Sequence, residues 1–421
     1  MHFLPFYPSS SDGGFSVKDY RQIDEDFGDW NEVEDFKRKG DLELMFDLVL
    51  NHCSSQSDWF KAFTNGIAPE KNYFLVDDPK KDWSKVVRPR VSPLFHETET
   101  ADGVKSVWTT FSKDQVDLDW KEPDVLFEFI DILLSYIARG ARIVRLDAVA
   151  FLWKMEGETC IHHPMTHEIV KLLRDLLITV APEVILLTET NVSHVENISY
   201  FGEGDEAHMV YQFTLPPLLL HALMRGDSSK IQEWVASLSD IPKGCTYLNF
   251  TASHDGIGLR GLEGWVEKEE VAWLVDEAEK RGALLGKRNL AEGGSAVYEL
   301  NITYRSALSV PGDPEMGARR FICSQAIMLA LQGIPAVYFH SLVGNENWEE
   351  GPKRKEGENR DINREKMQLS DLESRLDDPT DEQSWIKNVY CSMLRARRNC
   401  PAFSPNVSQR VIPSEPLPRP Y

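Results

Sequence analysis

Apolar runs that end in polar or charged residues recur along the chain. They cover residues 42–50, followed by Asn51-His52; 142–149, with Arg145 and Asp147 near the end; and 184–190, apolar up to Thr188-Glu189. Further runs cover 207–213, then 247–255 with Ser253-His254-Asp255 at its end, then 334–340. Continuous apolar stretches of this length predict strands covered on both faces. Between them, apolar positions at helical spacing predict helices over 31–39, 125–139, 164–180, 216–225, 318–331 and 385–398. Asn31 is the expected N-cap of the first of these and Gly40 its stop. In the second, a polar stripe of Glu128, Asp131, Ser135 and Arg139 predicts a mostly buried helix. Residues 2–7 read as the end of a strand broken by Pro5 and Pro8. Strand and helix alternating over this length predict an α/β fold with a parallel sheet. Polar residues gathered at strand ends favour a (β/α)8 TIM barrel with one catalytic face.

Two stretches interrupt the alternation. Residues 53–120 are irregular and rich in aromatics, too long for a plain loop, and predict a small inserted subdomain. Residues 259–316 predict a second insertion, charged and helical in its first half. The expected division is 1–52 as the start of the barrel, 53–120 as the first insertion and 121–258 as barrel. Then come 259–316 as the second insertion, 317–400 as the end of the barrel, and 401–421 as a proline-rich tail that begins a further domain. No repeat of solenoid period is present.

The formal net charge of −21 argues against nucleic acid or an anionic membrane as partner. An anionic substrate would need a local basic pocket. Six cysteines without a CxxC pair predict buried free thiols in a reducing compartment rather than disulfides or a zinc site. No run of 18 apolar residues occurs. The opening residues lack the basic region and apolar core of a signal peptide. These features together predict a cytoplasmic protein.

The chemistry lies at the strand ends. Arg145 and Asp147, two apart on a strand, point the same way. Alone, that pair reads first as a structural ion pair capping a strand. Three successive strands, however, end in acids: Asp147, Glu189 and Asp255. Clustered buried carboxylates repel unless paired, so packing explains them poorly. Paired carboxylates about 5–5.5 Å apart suit retaining glycosyl transfer. Asp147 is then the expected nucleophile, kept ionised by Arg145. Glu189, ending an apolar strand, is the expected general acid/base, and Asp255 the stabiliser of the cationic transition state. Asp12, in a Ser/Gly turn, reads locally as a turn residue, and Asp47 with His52 as a local hydrogen-bonded pair. Arg88 and Arg90, around Pro89, read as an anion site or as solvated charges.

With these residues in place the chain resembles glycoside hydrolase family 13, the α-amylase clan, and within it the sucrose-phosphorylase-like subfamily. The stretches 47–52, 145–149, 188–190 and 253–255 look like the four clan motifs in order. The resemblance implies that Asp147, Glu189 and Asp255 are nucleophile, acid/base and stabiliser. It also implies that Asp12, His52, Arg145, His254 and Arg360 hold a glucosyl ring. Residues 11–15, 87–90, 215–221 and 254–258 look like sugar phosphorylases, in which inorganic phosphate replaces water as acceptor and α-glucose 1-phosphate is released. Arg88 and Arg90 would then bind phosphate or the acceptor, and a mobile loop at 342–350 would close the site. Phe151 and Asn191 stand where sucrose phosphorylases usually carry Tyr and His. This resembles glucosylglycerate phosphorylases and also sucrose 6′-phosphate phosphorylases. The basic run 353–355 could serve an anionic acceptor. No metal or cofactor is implied, and inorganic phosphate is the co-substrate. Compared with the family, the chain is expected to lack its first strand–helix unit and most of a C-terminal β-domain.

Overall fold

The computed structural model describes residues 1–238, 241–289, 294–355, 357–405 and 407–412. The chain divides into two compact units. The first comprises Met1–Thr190, Val195–Tyr211 and Lys287–Ala296; the second comprises Asn191–His194, Gln212–Gly286 and Val297–Tyr421.

The first unit is built on four parallel strands: β1 (Leu44–Val49), β2 (Ala141–Asp147), β3 (Ile185–Thr188) and β4 (Met209–Tyr211), paired in that order. All six residues of β1 are buried, as the continuous apolar pattern requires. The register sets Asp47 beside Arg145 and Val49 beside Asp147. His2 makes a single parallel bridge to Met45, all that remains of the strand expected at 2–7. Helix α1 (Trp30–Gly40) precedes β1, while α2 (Pro123–Ala138) and α3 (Pro164–Val180) fall between β1 and β2 and between β2 and β3. Around β1, the rings of Phe6, Tyr7, Trp30, Phe46 and Tyr136 pack edge-on and stacked. Between β1 and β2, residues 52–117 form two antiparallel ribbons, His52–Ser54 with Gln115–Asp117 and Phe95–Thr100 with Gly103–Trp108.

In the second unit, β5 (Thr246–Asn249) pairs in parallel with β6 (Ile334–Pro335). Its helices include α4 (Leu215–Arg225), α5 (Pro314–Ala330) and α6 (Glu382–Arg398). Their apolar faces share one core with Trp234, Leu274, Leu300 and Tyr304. Six parallel strands alternating with helices along the chain follow the order of a (β/α)8 barrel.

Several expected boundaries shift for local reasons. The first helix is capped by Asp29, not Asn31. The Asp29 carboxylate accepts from the Asn31 and Glu32 amides, and Glu32 reaches back to the Asp29 amide. The strand expected over 334–340 ends at Pro335, and a short helix occupies Phe339–Leu342. The run at 247–255 is a strand only to Asn249, because its last residues turn to form a site. On α2, Phe127 is 65% exposed, so the apolar residues extend past the buried face. Only three of the six expected buried thiols, Cys53, Cys160 and Cys245, are buried; all six are free. Part of the tail expected at 401–421, residues 413–421, lies outside the described residues.

Candidate active site

In the first unit the site is organised by one buried cation. The Arg145 side chain is 2% exposed and Asp47 beside it is fully buried. Its Nη1 binds Asp47 and, at 2.7 Å, Asp147 Oδ1. Its Nη2 lies 3.9 Å from Glu189 Oε2. The aromatic faces of Phe15 and Tyr211 lie 5.4 and 5.6 Å from the guanidinium. Burial works to lower the Arg145 pKa, but Asp47, Tyr211, Asp147 and Glu189 outweigh it and push it well above the usual value. Burial likewise works to raise the Asp47 pKa, yet Arg145 and then His2 hold that carboxyl at about 2. Asp47 is therefore a fixed anion paired with Arg145 and with His2 (2.7 Å), not with His52 as the local pattern suggested.

Directly after Asp147 the backbone turns left-handed at Ala148 (φ 50°). This turn aims the Ala148 amide at Glu189 Oε2, 3.1 Å away. A strained residue here is a local feature of the site rather than of the strand. Asp147 and Glu189 keep 10% and 15% side-chain exposure, so both carboxylates are accessible at the edge of a buried network.

His52 follows β1. Its Nε2 lies 3.0 Å from the Phe15 carbonyl and 3.1 Å from Gln115 Nε2. Burial lowers its pKa, favouring the neutral imidazole. Gln115 also donates to Asp12 Oδ2 at 3.0 Å, so Asp12 and His52 are joined through one amide. Phe111 has the same linking role among other expected residues. Its ring meets His52 at 5.1 Å and Phe151 edge-on at 5.4 Å, and the Arg90 guanidinium sits 5.9 Å from its centre. Arg88 is half-buried; its Nη2 reaches Ser92 Oγ at 3.4 Å, and its Nε is buried without a hydrogen bond. Burial lowers its pKa.

In the second unit, Asp255 Oδ1 meets Arg360 Nη1 at 2.5 Å, and His254 Nε2 lies 3.4 Å from Asp255 Oδ2. Arg360 is gripped by Glu299, 2% exposed, through Nε at 2.9 Å and Nη2 at 3.0 Å. Glu299 also accepts from the Gly256 amide at 2.6 Å. Asn363 donates to the Ser253 and Asp255 carbonyls at 3.1 and 2.9 Å, and Arg364 donates to the His254 carbonyl at 2.7 Å. The segment 360–364 thus latches onto 253–255 through main-chain acceptors. Asn191, the remaining expected residue, has its amide against Gly258, where an added Cβ would approach to 2.5 Å.

The first unit therefore gathers Asp12, His52, Arg88, Arg90, Arg145, Asp147, Phe151 and Glu189, and the second holds Asn191, His254, Asp255 and Arg360. The sequence argument missed Phe111, Gln115 and Glu299, and missed the role of Asp47. Among the described residues, no group of three or more His, Cys, Asp or Glu could hold a metal ion. Among them, too, no helix is long and apolar enough to cross a membrane.

Parallel strands whose carboxyl ends carry acids, with an arginine beside them, place the site where (β/α)8 barrel enzymes build theirs. Residues 1–256 match the family described as alpha amylase, catalytic domain, and the chain belongs to that family. It is 48% identical over 413 residues to the glucosylglycerate phosphorylase of Spirochaeta thermophila, covering 98% of this chain and 70% of the relative. It is 42% identical to the glucosylglycerate phosphorylase of Escherichia coli, covering 96% of this chain and 73% of that one. Among solved structures it resembles sucrose 6F-phosphate phosphorylase from Thermoanaerobacter thermosaccharolyticum. The TM-score is 0.82 at 25% identity, covering 96% of this chain and 81% of that one.

Proposed function

We propose that the chain is a retaining glucosyl phosphorylase acting on 2-O-α-glucosylglycerate, with inorganic phosphate as co-substrate. It is a glycoside phosphorylase of the alpha-amylase family, a hexosyltransferase by reaction. The observation that carries the mechanism is the single guanidinium of Arg145 bound to Asp147 and near Glu189. It holds two carboxylates together at the accessible edge of a buried network, an arrangement compatible with the about 5–5.5 Å separation of retaining enzymes.

Asp147 attacks the anomeric carbon, and the bond to the glycerate oxygen breaks. Glu189, as the acid, gives that oxygen its proton, and glycerate leaves. The resulting ester between Asp147 and glucose is then attacked by a phosphate oxygen while Glu189 takes the phosphate proton. Two inversions give α-glucose 1-phosphate and restore both carboxyl groups. Asp255 stabilises the cationic transition state, with Arg360 and Glu299 fixing its orientation. Asp12, His52 and His254 bind sugar hydroxyls, while Phe151 and Asn191 contribute to the sugar and acceptor contacts. Arg88 and Arg90 bind phosphate or the glycerate carboxylate; the buried Nε of Arg88 supports that assignment. Residues 53–120 act as an inserted subdomain of the barrel. A cytoplasmic location is part of this proposal, and the six free thiols are consistent with a reducing compartment.

The test is turnover of glucosylglycerate, sucrose and sucrose 6′-phosphate, each with and without phosphate, read as both glucose 1-phosphate and free glucose. Preference for glucosylglycerate with strict phosphate dependence supports the proposal. Preference for sucrose 6′-phosphate changes the acceptor, and equal turnover without phosphate rejects the phosphorylase.

A further inference from the structure

Residues 9–17 form a tight loop closed by a bridge between Ser9 and Val17. At its apex, three consecutive residues take left-handed backbone angles: Asp12 (φ 52°), Gly13 (φ 60°) and Gly14 (φ 112°). A side chain at Gly14 would bring its Cβ within 2.4 Å of the Pro5 carbonyl, so only glycine fits there. Asp12 has no such exemption, and a non-glycine residue in this region persists only when its surroundings hold it.

Those surroundings converge on one carboxylate. The hydroxyls of Ser10, Ser11 and Ser16, from both arms of the loop, lie 2.5, 2.5 and 2.7 Å from Asp114 Oδ2. Ser55 donates to Oδ1 at 2.6 Å, and its amide donates to the Asp114 carbonyl at 2.8 Å. The next residue, Gln115, binds Asp12 Oδ2 directly. Asp114 thus ties the loop arms to Ser55, just past the His52–Ser54 strand, and to the amide that orients Asp12. No step of the proposed reaction uses Asp114, and no basic side chain pairs with it among the described residues. Burial works to raise its pKa, but the Ser10, Ser11, Ser55 and Ser16 hydroxyls outweigh it and hold it at about 2.

We propose that Asp114 is a positioning residue: its serine-bound carboxylate holds the 9–17 loop so that Asp12 keeps its left-handed backbone and presents its own carboxylate to the glucosyl hydroxyls. This rests on the assignment of Asp12 to sugar binding.

The test is kinetic, on the full chain, with glucose 1-phosphate and glycerate as substrates in the synthetic direction. Asp114→Asn keeps shape and one acceptor but turns an amide NH2 toward hydroxyl donors. A lost charge-assisted bond corresponds to about 10- to 100-fold, read as a higher KM for glucose 1-phosphate with kcat less affected. In an Asp12→Asn background the same change should add less than about twofold, since the group it positions is already disabled. The paired variant Ser11→Ala/Ser16→Ala removes loop donors while keeping the carboxylate. It should raise KM in the same direction, and it carries the test if Asp114→Asn does not fold. An unchanged KM, or an Asp114→Asn effect that multiplies fully with Asp12→Asn, overturns the positioning role. Wild-type turnover with an unimpaired Asp12→Asn enzyme overturns instead the assignment of Asp12 to the sugar.

Discussion

Replacing Asp47 by Asn would expose how the Arg145 network is balanced. Asp47 is fully buried and pairs with Arg145, itself 2% exposed. Removing one partner of a buried pair typically costs about 3–5 kcal/mol, because the other charge is left uncompensated. Arg145 retains Asp147 at 2.7 Å and Glu189 at 3.9 Å, so the lower end applies. The depression of Asp47 from 3.8 to about 2 gives an independent figure of about 2.5 kcal/mol. The two agree on about 3 kcal/mol, which for a chain of this size lowers Tm by about 3 °C. The sign with pH follows. A depressed carboxylate stabilises the fold above its unfolded pKa, and that stability is lost as pH falls from about 3.8 through about 2. The deficit of Asp47→Asn should therefore be constant between about pH 5 and 8 and shrink below about pH 4. Freed from Asp47, Arg145 also binds Asp147 more tightly, so nucleophilic attack slows and kcat falls while KM for glucose 1-phosphate moves little. Thermal unfolding across pH and steady-state kinetics read both effects. A variant as stable as wild type would refute the buried-pair argument. A destabilised variant with unchanged kcat would refute its link to the nucleophile.

Other outcomes follow from single contacts. Glu299→Gln loosens the two bonds to Arg360 and should lower kcat/KM about 10- to 100-fold, as measured with glucose 1-phosphate. Arg88→Ala should raise about tenfold the KM of the anion it binds, phosphate or glucosylglycerate, as measured by titrating each against a fixed excess of the other. His208 accepts the Leu186 amide on Nδ1, and burial followed by Arg174 and Arg142 lowers its pKa to about 4. The unfolded chain then binds the extra proton first, so stability falls as pH drops from about 6.5 to about 4. His208→Asn, which keeps an acceptor without titrating, should flatten that part of the Tm–pH curve.

Much of the fold was legible because buried parallel strands leave continuous apolar runs. The acids at their ends stand out for the same reason, since Glu189 is the first charge after Ile185–Thr188. The misplaced helix start was legible too: Asp29 and Glu32 carry capping-box spacing, and Asn31 drew attention only because it is also a capping residue type. The strand expected to His340 is a short one, Ile334–Pro335. The Ala336 amide still bonds the Asn249 carbonyl at 2.7 Å, but a short helix follows at Phe339–Leu342, and apolar composition cannot report that the chain turns helical there. The partners that set the site were not legible. Glu299 lies 44 residues from Asp255 within a charged insertion, and only the tertiary fold brings it to Arg360. Asp114 and Gln115 carry no signal in the sequence; their part emerges only when the serine hydroxyls and Asp12 are placed around them. Phe111 looked like one aromatic among ten, and its position between His52 and Phe151 is a property of packing alone.

The central claim is that glucose passes through an ester with Asp147 on its way to phosphate. The most direct measurement is the anomeric configuration of the sugar phosphate formed from 2-O-α-glucosylglycerate and inorganic phosphate, followed by NMR from the first turnovers. Retention, with α-glucose 1-phosphate and glycerate appearing one for one and Asp147→Ala forming neither, is the predicted result. Formation of the β-anomer, or of free glucose at the same rate without phosphate, would contradict it.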